Sequence, residues 1–228
     1  MSDRGVPINN RSYGVRGRTI GGAAIPDSVE RWEWGGPLSD RYIAVQGSVS
    51  NMTIVQDSGV AIDGSYYLES ATGGTNTYVV PADGAEYYKP KQGDPVFGSH
   101  VFTDASSSGR PGVLFGMSDD GQDGYGIFID TDHNNQWGIR TYSGRTRESP
   151  LAVGNNAPSA NTWYFPAVDW GSDGSISITM YEYDGGAYTE FDSLSVSDNT
   201  RTGGKIGFFA NNETCRWDGY DIDPNYLP

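Results

Sequence analysis

The stretch Trp163–Phe191, WYFPAVDWGSDGSISITMYEYDGGAYTEF, decides the fold. Two turn clusters, Gly171-Ser172-Asp173-Gly174 and Asp184-Gly185-Gly186, cut it into three runs rich in β-formers. In the middle run Ile176, Ile178 and Met180 alternate with Ser175, Ser177, Thr179, Tyr181 and Tyr183. Strand side chains point alternately to opposite faces, so one face of this run is apolar and suits a core. The other is rich in hydroxyls and tyrosines and suits solvent or a ligand. The spacing predicts three antiparallel strands joined by tight turns.

The pattern extends both ways. RYIAVQGS, MTIVQ, VAIDGSYYLES and NTYVVPA lie upstream, then a loop, then VFGSHVFTD, GVLFGMS, GYGIFIDT and QWGIRTYS; KIGFFAN and TCRWDGYDI follow the opening stretch. That is roughly a dozen strands at the spacing of a sandwich. No run keeps a 3.6-residue apolar stripe for three turns, and no fixed-period repeat suggests a propeller or solenoid. The expectation is an all-β protein: one antiparallel β-sandwich over residues 26–228 behind an extended, Gly- and Arg-rich N-terminal arm over residues 1–25.

Composition agrees. Of 228 residues 36% are hydrophobic and 13% aromatic, enough for a core; the 32 Gly and 15 Tyr fit many turns between many strands. No apolar run approaches the roughly 20 residues of a membrane span, so membrane insertion is not expected. The N-terminus has no apolar stretch of the kind a signal peptide needs.

The net charge of −14 is unevenly shared. Residues 1–25 carry Arg4, Arg11, Arg16 and Arg18 against Asp3, a charge of +3, which leaves −14 − 3 = −17 on the rest. Phosphates would be repelled by such a body, so nucleic acid is not an expected partner. The 21 Asp outnumber 8 Glu, and 12 Arg outnumber 3 Lys. Short hydrated carboxylates with scarce Lys point to concentrated salt, which screens the self-repulsion of an acidic surface. Cys215 is the single cysteine, which excludes an intrachain disulfide and a Cys-rich metal site. Its alternating segment predicts a buried strand thiol. His100 and His133 have no zinc-ligand spacing.

The C-terminal half resembles the concanavalin A-like lectin/glucanase jelly roll of the laminin-G-like type. The likeness rests on the Trp-led strand at Trp163–Trp170, the hairpin at Asp173–Tyr183, the G-x-I-G-F strand at Gly204–Phe208 and the closing strand at Trp217–Ile222. GYGIFIDTDHNNQWGIRTYS is similar to the central hairpin of that family. The resemblance covers about residues 96–223 and weakly 40–80. It implies a fold rather than a ligand, because the same fold hosts lectins, glycosidases and inert modules. By this resemblance Trp163, Trp170 and Trp217 are expected to be packing residues.

These residue types raise three kinds of chemistry. First, Asp119, Asp120 and Asp123 in SDDGQDG, and Asp130 and Asp132 in the next turn, are candidate Ca²⁺ ligands. The Asp130 stretch departs from an EF-hand, with Asn135 where Gly belongs and Thr141 at the twelfth place. Strands with acidic turns explain it first, a cation second. Second, the E-x-D-x-x-E strand motif of the fold's glycosidases is absent, and no Ser-His-Asp set suggests itself, so an enzyme is not expected. Third, sugar binding needs aromatic platforms and planar polar groups. WGIRTYSGRTR is the richest run, and Arg140, Tyr142, Arg145 and Arg147, with Tyr125, are the candidate glycan ligands. By alternation Trp137 and Ile139 share a core face, leaving Arg140 and Tyr142 as the more exposed pair. For Arg145 and Arg147 the plainer expectation is pairing with nearby acids such as Glu148.

Together these features suggest a non-enzymatic, surface-exposed virion protein of a haloarchaeal virus. Residues 1–25 would dock on other virion proteins and the lectin-like body would face host cell-surface glycans. A homo-oligomer, trimer or pentamer, would supply avidity. An extracellular or cell-surface protein of a halophile is the alternative location. A decoration module without ligand and, more remotely, a polysaccharide hydrolase are the rival functions.

Overall fold

The computed structural model describes residues 32, 36–62, 64–70, 76–83, 89–104, 110–131, 134–211 and 214–221. Expectations for the arm 1–25, for Asp132 and for His133 lie outside the described residues. Among the described residues fourteen strands form two antiparallel sheets. They are β1 Tyr42–Gln46, β2 Met52–Gln56, β3 Tyr66–Ser70, β4 Thr77–Pro81, β5 Gly98–Thr103, β6 Gly112–Met117 and β7 Gly124–Asp130, then β8 Gln136–Ser143, β9 Thr146–Val153, β10 Thr162–Trp170, β11 Ser175–Asp184, β12 Ala187–Ser197, β13 Lys205–Ala210 and β14 Cys215–Asp221. The first sheet runs β1-β4-β13-β6-β7-β8-β9, and the second β12-β11-β10-β5-β14-β3-β2. The only helices among the described residues are single 3₁₀ turns at Leu38–Asp40 and Val49–Asn51. None is long and apolar enough to cross a membrane.

The opening stretch folds as its alternation requires. Ile176, Ile178 and Met180 are buried in the core between the sheets, and β11 pairs with β10 on one side and β12 on the other. Gly185 and Gly186 make the β11–β12 turn with φ of 56° and 100°, a conformation that penalises a Cβ. Trp32, Trp137, Trp170, Trp217, Phe97, Phe115 and Tyr125 fill the same core. Rings interlock edge to face, with Phe115 5.4 Å from Trp170 and Phe97 5.5 Å from Phe115. Cys215 is a buried strand thiol, as expected.

One strand was not foreseen. Thr146–Val153, TRESPLAV, is the edge strand β9, exposed along almost its whole length. It carries no apolar alternation, and Pro150 is tolerated because an edge has a side with no ladder to complete. Charges and Pro on an edge also oppose pairing with other chains.

The first sheet is apolar on both faces. Facing away from the sandwich core, Val45, Tyr78, Val80, Leu114, Met117, Phe128, Tyr142 and Phe209 form a second buried cluster. Their rings lie over glycines of neighbouring strands. A Cβ at Gly126 would come within 2.5 Å of the Tyr142 ring, and one at Gly112 would collide with Phe209. Tyr78, Tyr142 and Phe209 then meet one another at 5.6–6.1 Å. Tyr142 is therefore buried, at 4% exposure, and not the exposed partner of Arg140 that alternation suggests. Alternation names two faces but not which of them is dry.

Candidate functional site

The outer face of the second sheet brings together residues from strands far apart in sequence. Direct cross-strand partners run Tyr188↔Tyr183, Tyr183↔Trp163, Trp163↔Phe102, Phe102↔Arg216, Arg216↔Glu69 and Glu69↔Thr53. This one row crosses all seven strands. Its first four members are aromatic and half-buried, each keeping part of its ring in solvent. Rings of Tyr183 and Tyr188 lie 5.0 Å apart, and those of Phe102 and Trp163 5.2 Å apart. Strands are about 4.8 Å apart, so the aromatic part of the row spans about 14 Å.

The row ends in a fixed ion pair. Arg216 Nε lies 2.8 Å from Glu69 Oε2, and the guanidinium sits 5.1 Å above Phe102 and 5.7 Å above Tyr67. Burial works against the Arg216 charge, but the Glu69 carboxylate outweighs it and raises the pKa. Planar donors and acceptors thus stand beside an apolar platform.

A second layer holds the platform. His100 is buried under Tyr183 and Tyr188 and against Phe165, with ring centroids 5.3, 5.7 and 4.8 Å away. Its Nε2 is 2.7 Å from the Tyr188 hydroxyl and its Nδ1 3.2 Å from the Asp218 carbonyl. The carbonyl can only accept, so Nδ1 carries the proton and the Tyr188 hydroxyl donates to Nε2. Burial drives the His100 pKa down to about 4, only partly opposed by the Asp218 carbonyl. The imidazole is neutral at pH 7 and works as an acceptor that orients Tyr188.

Sequence reasoning missed this row. It noted the tyrosine-rich face of β11 but expected Trp163 to be packing, and Trp163 instead stands half-buried on the outer face. Trp170 and Trp217, on the opposite face, are core residues as expected.

The expected glycan ligands are dispersed. Tyr125 is wholly buried in the core and cannot stack on a sugar; its hydroxyl donates to Asp198 Oδ1 at 2.6 Å, and burial together with that bond pushes its pKa up to about 12. Arg145 sits in the Gly144-Arg145 turn of the β8–β9 hairpin, with φ of 70° and its amide donating to the Gln122 carbonyl. Arg140, Tyr142 and Arg147 come together on the outer face of the first sheet, where Tyr142 pairs in register with Arg147. No carboxylate among the described residues forms an ion pair with Arg140, Arg145 or Arg147, so the expected pairing with Glu148 is not formed.

The expected Ca²⁺ ligands do not converge. Asp119 pairs with Lys89 at 3.0 Å, and Asp120 accepts from the Ser118 hydroxyl at 2.6 Å. Asp123 accepts from the Gly144 amide at 2.8 Å and pairs with Arg201 at 3.0 Å. Asp130 is buried against Arg110 at 2.8 Å. Each carboxylate answers a different protein donor, and no cluster of three or more metal-ligating side chains exists among the described residues. These four do not fit a shared cation.

No protein-family model matches this chain, and no curated protein matches it. Solved structures do. The carbohydrate binding module CBM66 from Bacillus subtilis has a TM-score of 0.57 at 13% identity, over 78% of this chain and 91% of that one. The exoplasmic/lumenal domain of VIP36 in its Ca²⁺/Man-bound form gives 0.49 at 10% identity, over 76% and 84%. The galectin LEC-6 of Caenorhabditis elegans gives 0.40 at 14% identity, over 61% and 91%. At 13% identity and a TM-score of 0.57, the likeness to the carbohydrate binding module shows the fold.

Proposed function

We propose that this chain is a non-catalytic glycan-binding protein whose site is the outer face of the second sheet. The row Tyr188–Tyr183–Trp163–Phe102–Arg216–Glu69 carries the reading. Half-exposed rings offer flat apolar surface to the apolar faces of pyranoses, and the Arg216–Glu69 pair offers donors and acceptors to their hydroxyls. The carbohydrate binding module that shares the fold supports it. Two carboxylates on this face already answer protein donors, which supports binding over hydrolysis: Glu69 is held by Arg216, and Asp218 Oδ2 accepts the Ile62 amide. No step of the reading uses a cation.

The setting we propose is a virion surface. The arm 1–25 docks the sandwich 26–228 onto other virion proteins, and a homotrimer or homopentamer multiplies weak single-site affinities toward host-surface glycans. Support comes from charge: a +3 arm on a −17 remainder, with Asp favoured over Glu and Arg over Lys. The surface of a salt-loving cell is the alternative setting.

The test is a panel of neutral and acidic polysaccharides presented to the full chain in concentrated salt, beside Trp163→Ala. Retention by at least one polysaccharide, lost in Trp163→Ala with the fold intact by circular dichroism, is the expected result. No retention by any member would leave a decoration module as the better reading, and release of reducing ends would make the protein a hydrolase.

A further inference from the structure

On the outer face of the first sheet, opposite the aromatic row, one arginine stacks on a buried ring and two more stand near it. Arg140 lies over Phe128, its guanidinium carbon 4.0 Å from the ring centroid. Stacking of this kind fixes the guanidinium plane and leaves its edge to accept a ligand. Its Nε is buried and has no hydrogen-bond partner. Arg147 is exposed on β9, directly opposite Tyr142. Arg110 is nearby and already pairs with Asp130.

Electrostatics make the arrangement expensive as it stands. Burial lowers the Arg140 pKa; Tyr142 and Tyr78 oppose that shift, while the charges of Arg147 and Arg110 add to it. Guanidiniums this close repel, and two of the three have no carboxylate partner among the described residues. Yet the chain has 29 acidic residues against 15 basic ones, so acids to neutralise them are abundant. The Tyr142 hydroxyl adds an independent sign. It is buried with the Tyr78 hydroxyl as its polar neighbour, and it makes no fully formed hydrogen bond among the described residues. A buried hydroxyl without a well-formed partner is costly, because it has given up water for nothing. An oxyanion brought to this face would answer both deficits at once, taking donors from the guanidiniums and from the hydroxyl.

We propose that Arg140, Arg147 and the Tyr142 hydroxyl form a second binding site, for a sugar-borne oxyanion such as a uronate carboxylate or a sulfate ester. It rests on the glycan reading for the carrier of the anion, but not on the aromatic row, which lies on the other sheet. The site accepts charge from the ligand rather than apolar surface. It gives the protein a preference for acidic glycans that the row alone does not supply. Because Arg140 is partly desolvated, its attraction is screened less by salt than that of an exposed lysine.

The experiment is calorimetric titration of the full chain with three probes in concentrated chloride: a neutral oligosaccharide, a uronic acid or sulfated oligosaccharide, and inorganic sulfate. The acidic oligosaccharide should bind at least tenfold more tightly than the neutral one of equal length. Arg140→Gln and Arg147→Gln should each abolish that preference and leave neutral binding unchanged. Tyr142→Phe, which keeps the ring in place, should reduce the preference several-fold. Trp163→Ala should weaken the neutral probe and spare the preference. Inorganic sulfate binding to the wild type and not to Arg140→Gln would show that the anion alone suffices, and no sulfate binding beside a retained acidic preference would show that the sugar carrier is needed; either supports the site. Equal affinity for neutral and acidic probes overturns this inference and leaves the aromatic row standing. Binding of neither oligosaccharide overturns the glycan reading, and with it the sugar-borne ligand. An acidic preference that survives both arginine substitutions also overturns the site.

Discussion

The buried imidazole beneath the aromatic row makes a sharp prediction about acid. His100 is 3% exposed, and its pKa falls from the ordinary 6.5 to about 4 in the fold. Between these values the unfolded chain takes up a proton that the folded chain refuses. Stability therefore holds above pH 6.5, falls as pH drops through that value, and stops falling from this cause below about 4. At pH 5 the ratio of the two binding polynomials is about 30, which corresponds to a loss of about 2 kcal/mol relative to pH 7.5. The full gap approaches about 3 kcal/mol at pH 4. His100→Gln removes the proton while keeping a polar group in reach of Tyr188. Urea unfolding of both proteins at pH 7.5 and 5.0 reads the effect. Carboxylates with lowered pKa, such as Asp173, Asp192 and Asp198, titrate below this window and are common to both proteins. Wild type should lose about 2 kcal/mol more than the variant between the two pH values. Equal losses would refute the account of His100 as a neutral, buried acceptor.

Other predictions address the rest of the molecule. Asp192 Oδ2 accepts from Trp137 Nε1 at 3.0 Å and from the amides of Asn155 and Asn156 at 2.6 and 2.9 Å, tying β12 to the end of β9. Asp192→Ala should cost about 1–3 kcal/mol in denaturant unfolding, because the buried indole N–H is orphaned, and Asp192→Asn should cost less; a loss within 0.5 kcal/mol of zero, about the effect of an ordinary surface change, would contradict this. Chelation of divalent cations should leave glycan binding and Tm unchanged, since Asp119, Asp120, Asp123 and Asp130 already answer protein donors; loss of binding on chelation would return Ca²⁺ to the Ser118–Asp123 loop. Removal of residues 1–25 should leave the circular dichroism spectrum intact and abolish assembly in size-exclusion chromatography, and a truncated chain that still assembles would refute the arm.

The strands were legible where the two faces of a segment differ in polarity. SISITMYEY shows one dry and one wet face, and it folds so. TRESPLAV shows neither, because an edge strand half out of the sheet needs no apolar face. Tyr142 was misjudged because the first sheet is apolar on both sides, its outer rings seated over Gly112 and Gly126. In WYFPAVDW both alternating sets contain aromatics, so periodicity could not say whether Trp163 or Tyr164 faces the core. The row itself was out of reach for another reason. Tyr188, Tyr183 and Trp163 come from consecutive strands, but Phe102, Arg216 and Glu69 are brought beside them only by the order β10-β5-β14-β3. That order depends on long-range packing and leaves no local mark. Pairing the solvent-facing positions of every strand in a jelly-roll order would have found it.

The measurement that bears most directly on the central claim is the dependence of affinity on oligosaccharide length, by calorimetry with the full chain and Trp163→Ala. A ligand lying along the rings of Tyr188, Tyr183, Trp163 and Phe102 should bind more tightly with each added sugar until it outruns the row, and then level off. Trp163→Ala, which breaks the row in its middle, should flatten that rise. Affinity that is independent of length, or a rise that survives in Trp163→Ala, would place the site elsewhere and contradict the account.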